Sequence, residues 1–181
     1  MKEIITIIFL LSYWGLPGQQ ISSMEKESTL TILGTSSLHD WHSSVEQFQF
    51  NATLHRDTIK NIQGKIIVKS IKSGKSIMDN KTYDALLAND FPIIEFSSDY
   101  LIIREQQVAG QGKLSLSGKE KNIPINLYIE KRDPLIFTGD LSLKMSDFGI
   151  APPEALFGTI TTGDEITLQV KISMTKTSIK Q

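Results

Sequence analysis

The chain has 181 residues, of which 40% are hydrophobic and 22% are charged, and its formal net charge is −1. This composition indicates one globular domain with a sizeable core. The near-neutral charge and the scattered lysines argue against nucleic acid as a partner, because phosphate binding requires a clustered basic surface. The chain has no cysteine, which excludes disulfides, thiolate metal sites and cysteine nucleophiles.

The first 20 residues have the features of an export signal. Lys2 supplies the positive start, and the apolar run at 4–11 is interrupted only by Thr6. Because this run is well short of the ~20 residues of a spanning helix, we predict a cleaved signal rather than an anchor. The mature chain is expected to begin between Gln19 and Met24, with a polar junction at 21–28. The sequence therefore predicts a periplasmic or secreted protein that does not span a membrane once processed.

From residue 29 to residue 176, apolar and polar residues alternate in eight segments, the pattern of one-sided β-strands. The clearest is a hairpin with a turn at 118–121, whose inward positions are 108, 110, 112, 114 and 116 before the turn and 123, 125, 127 and 129 after it. A bulge is expected at Glu46 or Gln47, because Val45 has the opposite parity. The other inward positions are Leu30 and Ile32; Phe48, Phe50, Ala52 and Leu54; Ile62, Gly64, Ile66 and Val68; Ile94, Phe96, Ser98, Tyr100 and Ile102; Leu135, Phe137, Gly139, Leu141, Leu143 and Met145; and Ile166, Leu168, Val170, Ile172 and Met174.

Two segments do not follow the strand pattern. Residues 80–89 predict the one long helix, capped by Asp79 or Asn80 and ended by Pro92. Residues 151–158 predict a single helical turn, because two prolines start it and a glycine ends it. The expected fold class is therefore all-β with one short helix.

The eight long segments predict an antiparallel up-and-down β-barrel rather than a two-layer sandwich. Sequential strands joined by short turns can close into a barrel that has no exposed edge. Inward glycines at 64, 110, 112 and 139 remove wall volume, which favours a hollow interior. A filled, tapered core is the alternative.

Four motifs give the chain a resemblance to a known family. They are GTSSLHDW at 34–41, MDNKTYDAL at 78–86, FPIIEF at 91–96, and FGIAPP at 148–153 followed by GT at 158–159 and TGDE at 162–165. Together they resemble the YceI-like family. The resemblance implies an exported bacterial protein with a lipocalin-like barrel over 29–176 and a short tail at 177–181. It also implies a tunnel that binds a long amphiphilic lipid, typically an isoprenoid.

The family has no short ligand-binding signature, so the ligand-contacting residues are inferred from inward parity. The inner wall is expected to include Phe50, Ile66, Phe96, Gly110, Gly112, Leu114, Leu116, Leu127, Phe137, Gly139, Leu141, Leu168 and Val170. Three further residues are expected at the end of the barrel, namely His39, Trp41 and Phe157. Polar groups at the mouth would then set the preference for a lipid head group.

We predict binding without catalysis, and no metal or cofactor. His39 and His42 are three residues apart in an extended segment, so they point to opposite faces and do not suit a shared metal ion. One alternative is an enzyme that acts on a lipid-like substrate through His39 and Asp40. Another is a stress-related structural protein with a filled barrel. The oligomeric state stays open, with a homodimer as one option.

Overall fold

A computed structural model describes residues 18–155 and 159–177 of the chain. The predicted export signal up to residue 17, Phe157 and the end of the tail lie outside the described residues. Three short 3-10 helices occur at Glu25–Glu27, Val68–Ser70 and Met145–Phe148. The other elements are β1 (Gln19–Ser23), β2 (Thr29–Ser36), β3 (Trp41–Val45), β4 (Phe48–His55), β5 (Thr58–Ile67), β6 (Ile71–Lys72), α1 (Ser76–Ala85), β7 (Ile93–Arg104), β8 (Gln107–Leu116), β9 (Lys119–Arg132), β10 (Leu135–Lys144), β11 (Glu154–Ala155) and β12 (Ile160–Lys176).

Hydrogen bonding between antiparallel strands closes the wall into a ring of eight strands. The order is β1, β4, β5, β7, β8, β9, β10 and β12, and β12 pairs back to β1. This confirms the predicted eight-stranded antiparallel barrel. At one end of the barrel, β12 pairs with β2 instead of β1, and β3 and β6 extend the wall beyond β2. Helix α1 lies at this end, where Lys81 hydrogen-bonds to the backbone of β11.

The first strand of the ring lies in a segment for which the sequence analysis predicted only an export signal and a polar junction. Residues of β1 pair with both β4 and β12, and Ile21 is only 3% exposed. The backbone then turns through the first 3-10 helix, and the Ser28 hydroxyl accepts a 3.0 Å hydrogen bond from the Ser173 N–H. The alternation rule did not find β1 because Ile21 is its one apolar residue. The wall thus begins at Gln19 rather than at 29.

The bulge predicted at Glu46 or Gln47 is instead a break between two strands that have different partners. β3 ends at Val45 and β4 begins at Phe48. The two intervening N–H groups bond to Ser70, that of Glu46 to its carbonyl and that of Gln47 to its hydroxyl, both at 3.0 Å. The extra residues therefore keep their backbone donors satisfied while the inward parity changes.

The β8–β9 hairpin has the predicted one-sided pattern but a tighter turn. Ile123, Ile125 and Ile129 are buried, and the residues between them are more exposed. The turn consists of Ser117 and Gly118, whose φ angles are 51° and 75°. Two successive positive φ angles belong to the two-residue turn that matches the twist of a hairpin. The predicted turn at 118–121 was therefore placed too late, and Lys119 already belongs to β9.

The predicted parity of β7 is wrong in its second half. Tyr100 and Ile102 are 57% and 40% exposed, whereas Leu101 and Ile103 are buried. The register with β8 shifts between Ser97 and Leu101, which marks a bulge. There the Ser98 hydroxyl is within 2.7 Å of the Gln111 carbonyl of β8. A bulge moves every later side chain to the other face.

Helix α1 starts and ends earlier than predicted. Its N-cap is Lys75, and Asp79 lies inside the first turns, where its carboxylate accepts hydrogen bonds from the Ser73 N–H and hydroxyl at 2.7 and 2.6 Å. The helix ends at Ala85 because Leu87 adopts a positive φ of 52°. Pro92 therefore plays no part in ending it.

The helical turn predicted at 151–158 is also wrong where the structure describes it. Glu154 and Ala155 form β11, which pairs with Thr161 and Ile160 at the start of β12. This pairing gives hydrogen-bond partners to backbone groups that would have none in a single isolated helical turn. Residues 156–158 lie outside the described residues.

Candidate ligand-binding cavities

The barrel interior contains a first cavity of about 110 Å³, which we call the inner cavity. Every residue of its lining is apolar, so the cavity offers no partner to a water molecule. Its lining consists of Leu30, Phe50, Ala52, Ile59, Ile62, Ile66, Phe96, Leu101, Val108, Leu114, Ile123, Ile125, Leu127, Phe137, Leu141, Leu143, Leu168, Val170, Ile172 and Met174.

A second cavity of about 200 Å³, here called the upper cavity, lies under α1 at the end of the barrel formed by β2, β3 and β6. Its apolar wall includes Ile32, Ile71, Leu116, Met145 and Ile166. Its polar and charged lining residues are Ser36, His39, Ser43, Ser73, Lys81, Thr82, Glu154 and Thr162. The upper cavity is therefore amphipathic, in contrast to the inner cavity.

The two cavities are stacked along the barrel, because residues at adjacent inward positions line one cavity and then the other. Alternate residues of a strand, which point to the same face, lie about 6–7 Å apart. Each cavity alone is smaller than the ~300–1,000 Å³ of sites that hold drug-sized ligands, so a long chain would need both. At four places, one residue lines the inner cavity and the residue two positions away lines the upper cavity. With the inner-cavity residue first, these pairs are Leu30 and Ile32, Leu114 and Leu116, Leu143 and Met145, and Leu168 and Ile166.

Inward parity located most of the wall correctly. Leu116 lines the upper cavity rather than the inner one, and Gly110, Gly112 and Gly139 line neither. The predicted wall residues that do line the inner cavity are Phe50, Ile66, Phe96, Leu114, Leu127, Phe137, Leu141, Leu168 and Val170. Contact of these residues with a ligand stays a prediction.

The inward glycines have a packing role that the sequence analysis did not anticipate. A Cβ atom on Gly64 would lie 2.3 Å from the Phe50 ring, and one on Gly112 would lie 2.2 Å from the Phe96 ring. A Cβ atom on Gly139 would lie 2.7 Å from Leu127 Cδ2. The space over each glycine thus holds a large side chain from the neighbouring strand, so the glycines do not themselves widen the bore.

Two of the three expected barrel-end residues line the upper cavity. Trp41 is half-buried, packs over Gly34 and donates from Nε1 to the Thr35 carbonyl at 3.0 Å. His39 is exposed, and its Nδ1 lies 2.9 Å from the Asp40 backbone oxygen. The third, Phe157, lies outside the described residues.

Sequence reasoning did not identify the α1 face of the upper cavity. Met78, Lys81, Thr82 and Ala85 follow the helical spacing and all line this cavity. The expected helix began at Asn80, so Met78 was left outside it, and Lys81 had no assigned role. A helix placed from Ser76 would have shown these positions on one face.

Hydrogen bonds from the end of β6 and from the residue that follows it hold α1 in place. The Lys72 ammonium donates to the Tyr83 hydroxyl at 2.6 Å, and this bond raises the pKa of Lys72. The hydrogen bonds from the Ser73 hydroxyl and N–H lower the pKa of Asp79 below its ordinary value of 3.8. The carboxylate also lies near the helix N-terminus, where negative charge is favoured. The upper cavity therefore has a well-anchored cover.

Among residues 18–155 and 159–177, no group of three His, Asp or Glu side chains is arranged to hold a metal ion. Nor does any helix in these ranges have the length and apolar character needed to cross a membrane.

The sequence was compared with models of known protein families. Residues 22–174 match the model described as the YceI-like domain. The chain belongs to the YceI-like family. The matched segment includes the last two residues of β1, every strand between β1 and β12, and β12 as far as Met174, so it spans nearly the whole closed barrel. No curated protein matches this sequence significantly.

Solved structures of other proteins share the YceI-like fold. Burkholderia cenocepacia BcnA superposes with a TM-score of 0.73 at 16% identity, over 85% of this chain and 99% of that one. A polyisoprenoid binding domain from Saccharophagus degradans, implicated in plant cell wall breakdown, has a TM-score of 0.63 at 11% identity, over 87% and 98%. The Campylobacter jejuni YceI protein has a TM-score of 0.62 at 18% identity, over 75% and 84%. At these identities the comparisons establish the fold alone.

Proposed function

We propose that this protein binds a long amphiphilic lipid with an isoprenoid-like chain inside its barrel, for transport or storage, without catalysing a reaction. The observation that carries the proposal is the stacking of a wholly apolar inner cavity below an amphipathic upper cavity. An amphiphile fits this order, with its chain in the inner cavity and its head under α1. The polyisoprenoid binding of the Saccharophagus degradans domain, which has the same fold, supports an isoprenoid as the chain.

Burial of the chain supplies the free energy of binding. Each methylene group that leaves water contributes about 0.8 kcal/mol, so a chain of a dozen or more carbons exceeds the cost of ordering it. Leu116 and Met145 line the upper cavity next to Leu114 and Leu143 of the inner cavity, and the unbranched methionine side chain readily changes its conformation. Movement of such side chains would join the cavities into one tunnel.

The enzyme alternative is not supported by a specific contact. The imidazole of His39 meets the backbone oxygen of Asp40 rather than a carboxylate. A binding role therefore accounts for the described geometry with fewer assumptions.

We further propose export to the periplasm or beyond through the cleaved signal at 1–20, in keeping with membership of the YceI-like family.

Native mass spectrometry of protein purified from its own host tests the lipid proposal. The expected result is a species heavier than the polypeptide, which releases a long-chain lipid on activation or organic extraction. Protein that carries no lipid and that also fails to bind added long-chain isoprenoids would overturn the proposal in favour of a structural role.

A further inference from the structure

The polarity of the two cavities fixes which end of a ligand meets which residues. The lining of the inner cavity contains no polar residue, so a ligand head group cannot form a hydrogen bond to a side chain there. All polar side chains that line either cavity are in the upper cavity. A head group that needs hydrogen bonds from side chains would therefore lie under α1.

Three ionisable residues line the upper cavity, namely His39, Lys81 and Glu154. The Lys81 ammonium donates one hydrogen bond, at 2.5 Å, to the backbone carbonyl of Glu154. An ammonium group has three donors, so two remain for another acceptor. The bond ties the middle of α1 to β11 and positions the cation at the edge of the cavity.

Lys81 differs from the lysines that have ionic partners. Lys113, Lys121 and Lys171 each lie 2.9–3.1 Å from a carboxylate oxygen, and none of the three carboxylates lines the inner or upper cavity. Within the described ranges, no carboxylate oxygen lies within the 4.0 Å limit of an ion pair with Lys81. The side chain of Glu154 itself is exposed to solvent. The Lys81 ammonium thus lacks a carboxylate partner among residues 18–155 and 159–177.

We propose that Lys81 binds an anionic oxygen of the ligand head group, so that the preferred ligand is a long-chain phosphate or carboxylate rather than the corresponding alcohol. This inference rests on the proposed lipid-binding function. The chain enters the inner cavity, and the anionic head accepts hydrogen bonds from the Lys81 ammonium. The hydroxyls of Thr82 and Thr162, which line the same cavity, are available as further donors.

The test compares three probes with the same C20 isoprenoid chain: geranylgeranyl phosphate, geranylgeranoic acid and geranylgeraniol. Affinities are measured by displacement of a bound fluorescent long-chain probe, on the wild type, on Lys81→Gln and on Lys75→Gln. Lys75 is the N-cap of the same helix and does not line either cavity, so its variant controls for a general loss of positive charge.

The wild type should bind at least one of the two anions about tenfold more tightly than the alcohol, as expected for a charge-assisted hydrogen bond. Lys81→Gln should abolish that preference and leave the affinity for geranylgeraniol within about twofold, whereas Lys75→Gln should keep the preference. Added salt should reduce the preference of the wild type, because the site is open to solvent. The anion that binds more tightly than the alcohol identifies the preferred head group as a phosphate or a carboxylate.

Equal affinity of the wild type for all three probes, or a preference that survives Lys81→Gln, overturns the inference while lipid binding itself stands. Lys81→Gln could instead weaken the binding of all three probes equally with an unchanged melting temperature. The lysine would then shape the cavity without distinguishing charged from neutral head groups, and this result also overturns the inference. Failure of the wild type to bind any of the three probes would instead contradict the proposed lipid-binding function. Failure of the Lys81 inference and failure of the proposed function are therefore distinguishable.

Discussion

The Phe96 ring of β7 lies over Gly112 of β8, at the place where a Cβ atom would come within 2.2 Å of two ring carbons. Phe96 also lines the inner cavity. A side chain added at Gly112 must therefore push the ring, and the ring can move only toward the cavity or against its neighbours. The glycine and the aromatic ring together set the width of the bore.

Gly112→Ala should lower the free energy of unfolding by about 1–3 kcal/mol, as overpacking does, and should weaken binding of a long-chain probe at the same time. Phe96→Leu in the same chain should restore part of both losses, because the smaller side chain no longer occupies the space over residue 112. Urea unfolding and probe titration on the two single variants and the double variant measure this coupling. Additive losses in the double variant would show that the two residues are independent.

Leu127 and Asn126 are neighbours on β9 that face opposite sides of the wall. Leu127 lines the inner cavity, whereas Asn126 is exposed. Leu127→Asp should cost several kcal/mol or prevent folding, because it buries a charge without a partner. Asn126→Asp should change the stability by less than about 0.5 kcal/mol. Circular dichroism and urea midpoints compare the pair, and similar tolerance at both positions would contradict the register of β9.

Filling the inner cavity should block the ligand without opening the barrel. Leu168→Trp places an indole in the cavity that Leu168 lines, at a cost of about 1–3 kcal/mol in stability. We expect the affinity for a long-chain isoprenoid probe to fall at least about tenfold. Gln169→Trp is the matched control, since Gln169 is the exposed neighbour on the same strand. Full binding by a folded Leu168→Trp variant would place the chain outside the inner cavity.

The hydrogen bonds between Ser73 and Asp79 predict acid sensitivity of the α1 cover. These bonds hold the pKa of Asp79 below 3.8 in the folded state, so unfolded chains bind more protons in acid. The stabilisation is therefore complete above about pH 4–5 and is lost as the pH falls through the lowered pKa. Asp79→Asn should cost about 1–2 kcal/mol at neutral pH and less at pH 3. Urea midpoints at the two pH values measure the difference, and an equal cost at both would contradict this role of the carboxylate.

Strand β1 predicts where the export signal can be removed. Removal of all residues through Ser23 would delete β1, the strand that joins β4 to β12. It would also remove the buried side chain of Ile21 from the core. We therefore expect the processed chain to begin at the early end of the predicted range, at or close to Gln19, so that the removed signal ends near residue 18 rather than at residue 20. N-terminal sequencing of the exported protein decides this. A chain that begins at Gln19 should show a higher urea midpoint than one that begins at Met24, and equal midpoints would show that β1 is not needed for closure.

Local patterns in the sequence were enough to predict the barrel. One-sided alternation depends only on neighbouring residues, and it located Phe50, Phe137 and Leu168 on the inner wall. The same patterns predicted the hairpin of β8 and β9 and located a change of parity at Glu46 and Gln47, which the structure shows to be a break between β3 and β4 rather than a bulge. The motif resemblance led to the family that the match over residues 22–174 then established.

Other features depended on contacts between distant segments, which alternation does not encode. The bulge in β7 could not be predicted from the sequence because serine and tyrosine are acceptable on either face of a strand. Only the register with β8 shows that Tyr100 points outward. The space over Gly112 is taken by Phe96 of another strand, and only the pairing of β7 with β8 shows this. Likewise, Lys81 is one lysine among many until α1 is placed against β11, because the position of a charge at a cavity mouth is a property of the tertiary fold.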